Sequence, residues 1–305
     1  MKSIKNIEVS VRGRLQNTAR DTKRQFAEVL QYYGMERFLY RLSKSEHQKR
    51  FILKGALMFT VWDVQSRRTT VDIDFLAYAD NAIPEMEKII REVCETEVVS
   101  DGMVFDLKSV KGEKIKEDAD YEGVRIKFRG NLGNARIPMR IDMGFGDTVV
   151  PKPKMINYPV LLDFPKPHLV GYTFETVVAE KFEAMIKLGA LNSRMKDFYD
   201  VWLLIRQFTF NWASLADAIA RTFKNRKAEL PKTIPFFAAE IYSEESDRNR
   251  IWKAFLEKNE IRATEKLKDA AEAIENFLQP VVESIIAGKD FESTWKAPGP
   301  WKNTK

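Results

Sequence analysis

The feature that most constrains the fold is a change of pattern across one proline-rich stretch. Before it, from about residue 51, short apolar runs with alternating polarity intersperse with helical periodicity. After it, from about residue 174, only helical periodicity is expected. The stretch runs from Pro151-Lys152-Pro153 to Pro165-Lys166-Pro167, so the boundary of the two halves falls near 150–172. A chain of 305 residues is long enough for each half to bury its own core. With 44% hydrophobic residues, 14 Gly and 12 Pro, it is neither disordered nor collagen-like.

In the first half, helical spacing of Phe26, Val29, Leu30 and Tyr33 predicts a helix over about 17–33, and Gly34 a break before a second one over 35–42. Phe51–Gly55 reads as a strand turning into a helix over 56–62, and Val71–Tyr78 as a second strand. Pro84 suits the first turn of a helix running to about Cys94. Residues 103–110, 121–129 and 135–143 read as strands, the last two joined across the Gly/Asn signal of 130–134. In the second half, helices are expected at about 174–189, 195–207, 211–226, 245–258 and 264–286, with a loose tail at Ala297-Pro298-Gly299-Pro300.

Charge is unevenly spread. Residues 1–50 carry 12 Lys/Arg against 5 Asp/Glu, a net +7, whereas residues 51–305 carry 38 against 39. An anionic partner, nucleic acid first among them, fits that excess; so does a solvated basic helix. A second group of cations, Lys108, Lys111, Lys114, Lys116, Arg125, Lys127, Arg129, Arg136 and Arg140, falls on the expected strands. The single cysteine, Cys94, excludes an internal disulfide and any cysteine-based metal cluster, and two histidines leave few options for zinc. No apolar run has membrane length, the first residues lack the apolar core of a signal peptide, and a cytosolic setting is expected.

The sharpest local pattern is Arg68-Thr69-Thr70-Val71-Asp72-Ile73-Asp74-Phe75. On a strand, Arg68, Thr70, Asp72 and Asp74 would share one face and Val71, Ile73 and Phe75 the other. Two carboxylates on one face repel unless a cation lies between them, and hard Mg²⁺ suits carboxylate oxygens. A solvent-exposed acidic strand face fits the spacing as well. Asp142, in Arg140-Ile141-Asp142-Met143, would join the pair if its strand lay alongside, and such a cluster aligns a hydroxyl with a nucleotide phosphate. Asp147 follows Gly144-Phe145-Gly146 and reads as a turn residue. In the helical half, Lys181 falls inside the apolar stripe of Val177, Val178, Phe182, Met185 and Leu188. Asp197 sits beside the stripe of Phe198, Trp202 and Ile205, with Asp200 pointing farther out. Lys181 and Asp197 could meet at a site or as a buried structural ion pair.

Taken in order, five segments carry a resemblance: Leu53-Lys54-Gly55-Ala56, Arg68-x-Thr70-x-Asp72-Ile73-Asp74, Arg140-Ile141-Asp142, Val178-Ala179-Glu180-Lys181, and Arg194-Met195-Lys196-Asp197-Phe198-x-Asp200. Together they resemble the abortive-infection AbiE-type toxin nucleotidyltransferases, MenT-like toxins included, of the polymerase-β-like superfamily. The resemblance implies an α+β fold: a nucleotidyltransferase core over 1–150, with a mixed sheet flanked by helices and basic N-terminal helices. A helical domain over 151–305 would complete the active site and bind substrate. It further implies the toxin of a toxin–antitoxin pair, moving NMP from an NTP to an RNA such as the tRNA 3′ end. Asp72, Asp74 and Asp142 match the metal-binding carboxylates, for Mg²⁺ or Mn²⁺, the last helping to activate the acceptor hydroxyl. Lys181 matches the lysine on the triphosphate and Asp197 the acid that supports it. Lys54, Gly55, Arg68 and Thr70 would lie around the phosphates. This chain departs from many superfamily members in having Ala56 where they carry serine. A kinase-like transferase acting on a protein, and a catalytically silent RNA- or partner-binding module, are the competing readings.

Overall fold

The computed structural model describes residues 6–118, 121–189, 192–232, 234, 242, 246–261, 266–289 and 291–303. The chain divides into two units. The first comprises residues 1–61, 70–146 and 154–171, the second residues 62–69, 147–153 and 172–305.

Unit 1 is built on a seven-stranded mixed sheet. Its strands are β1 (Phe51–Lys54), β2 (Ile73–Ala77), β3 (Met103–Asp118), β4 (Tyr121–Leu132), β5 (Ala135–Phe145), β6 (Lys154–Asn157) and β7 (His168–Gly171), in the order β3-β4-β5-β2-β1-β7-β6. The β2/β5 and β1/β7 pairs are parallel and the others antiparallel. Its longer helices are α1 (Ile7–Thr22), α2 (Phe26–Lys44) and α4 (Ile83–Glu95), with the short α3 (Leu57–Val61) following β1. Alternation along β4 and β5 sends Ile126, Phe128, Ile137, Met139 and Ile141 to a buried face, where Phe38 of α2 packs 5.5 Å from Phe128, ring centre to ring centre. This is the expected α+β core with helices on a mixed sheet.

Three expectations need correction in this unit. The first two helices meet at Lys23, whose left-handed backbone (φ 54°) closes α1, and Gly34 lies inside α2 instead of ending it. A Cβ on Gly34 would stand 3.1 Å from Ile137 and 3.2 Å from the Met139 sulfur, so the glycine serves close packing of α2 on β5. Beyond residue 150, β6 and β7 join the sheet, although their flanking prolines mask them in the sequence. The N-terminal cations are partly consumed internally. Arg37 and Arg41 are buried, Arg37 against Glu36 at 2.7 Å and Arg41 forked onto Asp101 at 2.8 and 3.1 Å.

Unit 2 contains α5 (Phe174–Leu188), α6 (Met195–Gln207), α7 (Trp212–Asn225), α8 (Asp247–Lys258) and α9 (Leu267–Ala287), close to the expected spans. Thr173 and Asn211 cap α5 and α7 through their side-chain oxygens. The core joins Val178, Phe182 and Met185 to Leu204, Ile219, Phe223 and Phe277. Strand structure does return here, contrary to expectation. β8 (Phe210–Asn211), β9 (Ser293–Trp295) and β10 (Trp301–Asn303) form a small antiparallel sheet, so the C-terminal segment is held in place. The Trp295 indole N–H donates to the Ile205 carbonyl at 2.7 Å, and Trp301 stacks on Phe277 at 5.4 Å. Among the described residues no helix is long and apolar enough to cross a membrane.

Candidate active site

The carboxylates of unit 1 are set by strand register. Asp74 on β2 is the parallel partner of Asp142 on β5, so both side chains leave the same face of the sheet. Lys54 on β1 is the antiparallel partner of Asp74, and Arg125 on β4 that of Asp142. One row across four strands thus reads Lys54, Asp74, Asp142, Arg125. The opposite faces of β2 and β5 supply Ile73, Phe75, Ile141 and Met143 to the core, which fixes the polar row outward.

The strand is shorter than the sequence suggested. β2 starts at Ile73, because the backbone before it is held by side chains of α2 in place of a strand ladder. The Thr70 N–H donates to the Tyr32 hydroxyl at 3.2 Å, and the Val71 carbonyl accepts from Gln31 Nε2 at 3.3 Å. Thr70 therefore turns back on Asp72, whose N–H it accepts at 3.4 Å, and Val71 is 56% exposed instead of facing inward. Asp72, just ahead of the strand, is forked by Arg140. Asp142 is likewise forked by Arg125, with Nε and Nη2 each 2.7 Å from a carboxylate oxygen. The Asp142 hydrogen bonds hold the Arg125 guanidinium above its ordinary pKa range, and Asp72 does the same for Arg140.

Gly55 closes the site from the β1 end. Its φ is +68°, and a Cβ there would lie 1.9 Å from Asp74 Oδ2. The bare backbone of the β1–α3 turn thus forms a cradle into which the Asp74 carboxylate leans, and no side chain fits between them. Three carboxylates without nitrogen or sulfur donors suit a hard divalent cation. Asp74 and Asp142, register partners beside the Gly55 cradle, fit such an ion by donor type, whereas Asp142 and Asp72 are held in this structure by Arg125 and Arg140.

Unit 2 holds the second constellation. Lys181 on α5 lies 2.8 Å from Asp197 and 2.8 Å from Asp200, both on α6. Arg194 reaches the other side of Asp197 at 2.8 Å, and Arg68 forks Asp200 at 3.1 and 3.2 Å. Burial opposes the charge on Lys181, but Asp197 and Asp200 outweigh it and hold the ammonium above its ordinary range. Burial likewise opposes ionisation of Asp197, and Lys181 with Arg194 outweighs it, leaving that carboxyl below its ordinary range. The expected Lys181–Asp197 contact is present. Two neighbouring residues differ from expectation: Asp200 points into the cluster instead of outward, and Arg68 belongs to this unit, tied to Asp200, instead of sharing a strand face with Asp72 and Asp74.

Asp147 is also more than a turn residue. It accepts from Arg226 at 3.1 and 3.0 Å, and the same guanidinium reaches Glu183 at 2.7 Å. In unit 1, Glu46, His47 and Glu92 bring one donor atom each within 4.8 Å of one another. There the imidazole Nε2 is already hydrogen-bonded to Glu92 at 2.8 Å and the Glu46 side chain is 83% exposed.

A family profile described as nucleotidyl transferase AbiEii toxin, type IV toxin–antitoxin system, matches residues 37–285. The chain belongs to this AbiEii family. Both constellations lie inside the matched region, whereas α1 and the start of α2 precede it. Two solved structures are similar to this AbiEii chain. JHP933 from Helicobacter pylori is 13% identical over 83% of this chain and 89% of its own, with a TM-score of 0.45. A "putative nucleotidyltransferase from H. pylori" is 12% identical over 83% of this chain and 94% of its own, also with a TM-score of 0.45. No curated protein matches the chain.

Proposed function

We propose that this AbiEii toxin transfers NMP from an NTP to an RNA acceptor, the tRNA 3′ end first among the candidates, and thereby blocks translation in the cytoplasm until a cognate antitoxin protein neutralises it. The observation that carries the reading is the register pairing of Asp74 with Asp142 beside the Gly55 cradle. Asp72, Asp74 and Asp142 would hold Mg²⁺ or Mn²⁺, which when bound offsets charge on the triphosphate and lowers the barrier to in-line attack.

The chain's own residues supply the rest. Gly55, against whose turn Asp74 leans, and Lys54, the register partner of Asp74, are assigned to the phosphate oxygens as the resemblance implies. Asp142, matched by the resemblance to the third carboxylate, is assigned to accept the proton of the attacking hydroxyl. Lys181, kept charged by Asp197 and Asp200, is assigned to the triphosphate, and those two carboxylates orient it. Ala56 offers no hydroxyl, so at that turn the phosphates are held through backbone N–H groups and cations.

Incubating the full chain with total RNA and either α- or γ-labelled NTP tests the reading. Label from the α-phosphate retained on RNA, and lost in a folded Asp72→Ala variant, is expected. Label from the γ-phosphate on a protein would establish the kinase-like alternative instead. Full toxicity of a folded Asp72→Ala variant would refute both.

A further inference from the structure

The carboxylates of unit 1 come with their own counter-charges. Arg125 forks Asp142, Arg140 forks Asp72, and Lys54 faces Asp74 in register. Three cations balance three anions, so this part of the sheet is neutral by itself. The two arginines differ from ordinary buried ion pairs in being reachable from solvent: their side chains are 26% and 36% exposed, against 11% and 22% for the aspartates they hold. Their guanidiniums sit at the end of long stems on the polar face of β4 and β5, next to Lys127, the register partner of Arg140. A planar fork that fits a carboxylate fits a phosphate equally well.

We propose that Arg125 and Arg140 couple divalent-cation binding to nucleotide binding, by holding the carboxylates until a triphosphate arrives to take the guanidiniums. This rests on the nucleotidyltransferase reading above. A divalent cation arriving alone adds +2 to a neutral cluster and must displace both arginines with nothing to receive them. Arriving with a triphosphate, it leaves the arginines an anion of matching geometry. Free cation is therefore bound weakly and the cation–nucleotide pair strongly, and by linkage each ligand tightens the other by the same factor. A purely structural role for the two ion pairs would give no such coupling.

The experiment is a titration of the full chain with Mn²⁺, read by the loss of its free-ion electron paramagnetic resonance signal, with and without each of four non-hydrolysable NTP analogues. For the natural sequence, one analogue is expected to tighten Mn²⁺ at least about 10-fold, within the usual range of coupling. Arg125→Ala and Arg140→Ala should each tighten Mn²⁺ alone and shrink that factor to about 3-fold or less. Arg125→Lys and Arg140→Lys, which keep the charge but lose the fork and disturb folding less, should fall between. Equal Mn²⁺ affinity with and without analogue in the natural protein overturns the inference. So does an unchanged Mn²⁺-only affinity in the folded lysine variants. If the natural protein transfers labelled NMP yet shows no coupling, only this inference fails; if it binds neither Mn²⁺ nor any analogue, the nucleotidyltransferase reading fails with it.

Discussion

Asp74 and Asp142 are register partners on adjacent parallel strands, and each is flanked in its own row by a cation, Lys54 on one side and Arg125 on the other. The arrangement places two anions at neighbouring positions, each offset by the cation beside it, and on the nucleotidyltransferase reading a divalent cation is shared between them. Asp74→Asn is therefore expected to lower NMP transfer at least about 100-fold, the scale of losing one charge-stabilising group in an active site. Its thermal midpoint should stay close to that of the parent, because the asparagine is nearly isosteric and removes a repulsion. Transfer assays with a parallel thermal melt check both halves.

Gly55 offers a test of the cradle that does not alter any charge. Ala at this position must adopt φ near +68° and place its Cβ 1.9 Å from Asp74 Oδ2, so either the turn or the carboxylate has to move. Gly55→Ala should cost about 1–2 kcal/mol for the left-handed backbone alone, measured by urea unfolding. It should abolish transfer even at temperatures where the variant is fully folded. Retained transfer would show that Asp74 does not need the position it takes against the bare turn.

Parts of this site are written in local sequence and parts are not. The strand faces that carry Asp74 and Asp142 could be read directly, because a strand repeats every two residues and the apolar partners Ile73, Phe75, Ile141 and Met143 mark the inner face, whereas Asp72 lies ahead of the strand. The pairing of Arg125 with Asp142 could not, since it depends on which strands become neighbours and in what register, a tertiary property. Asp200 is hard to place from the sequence for a related reason. A helical wheel assumes one buried stripe, whereas α6 is buried from Asp197 through Ile205 around its whole circumference, so an aspartate off the main stripe is still inside. The C-terminal hairpin escaped because its stability lies in Trp295 and Trp301 clamping Phe277, contacts made across many residues of chain.

The Lys181 cluster separates structural from functional roles by its own connectivity. Removing Asp197 leaves Arg194 without this partner and Lys181 with only one of its two carboxylates, so Asp197→Ala should cost about 3–5 kcal/mol in urea unfolding. Removing Lys181 leaves Asp197 with Arg194 and Asp200 with Arg68, each carboxylate still paired. Lys181→Met should accordingly cost no more than about 2 kcal/mol while nucleotide affinity collapses. An equal stability loss in the two variants would mean that Lys181 is the structural keystone. The acid limb adds a check: because the Asp197 carboxyl is held below its ordinary range, its stabilisation is complete above that range and fades as pH falls through the lowered value.

Glu36 has the opposite sign. Burial raises its carboxyl to about 7, against the opposing pull of Arg37 and the Leu161 N–H at 2.7 Å, with Tyr33, Arg41 and Asp101 completing the surroundings. A group that holds its proton more tightly when folded contributes stability at low pH and loses it as pH rises, here between 4.5 and about 7. The loss amounts to about 3 kcal/mol across that window if Glu36 acts alone. Glu36→Gln should flatten this part of the stability–pH curve whatever it does to absolute stability, since Gln does not titrate. Chemical denaturation at half-unit pH steps reads the slope, and an unchanged slope would assign the titration to another group.

The basic N-terminus can be tested first at Arg20 and Lys23. Arg37 and Arg41 are buried, Arg24 pairs with Glu28, and Arg14 contacts Asp163, so these cations are already engaged. Arg12, Lys44, Lys49 and Arg50 are exposed as well, but Arg20 and Lys23 share a groove at the α1–α2 turn that also presents Gln16 and Phe26, a combination of charge and aromatic surface suited to single-stranded RNA. If each cation neutralises one phosphate, Arg20→Ala with Lys23→Ala should lower the slope of log affinity against log salt by about 1.4, twice the single-strand value per contact. Affinity for the cation–nucleotide pair should be unchanged, because the carboxylate row and its arginines are untouched. Filter binding of labelled RNA from 50 to about 300 mM salt, alongside nucleotide titration, reads both quantities. A fall in nucleotide affinity would place this turn in the active site, and an unchanged salt slope would leave Arg20 and Lys23 without a part in RNA binding.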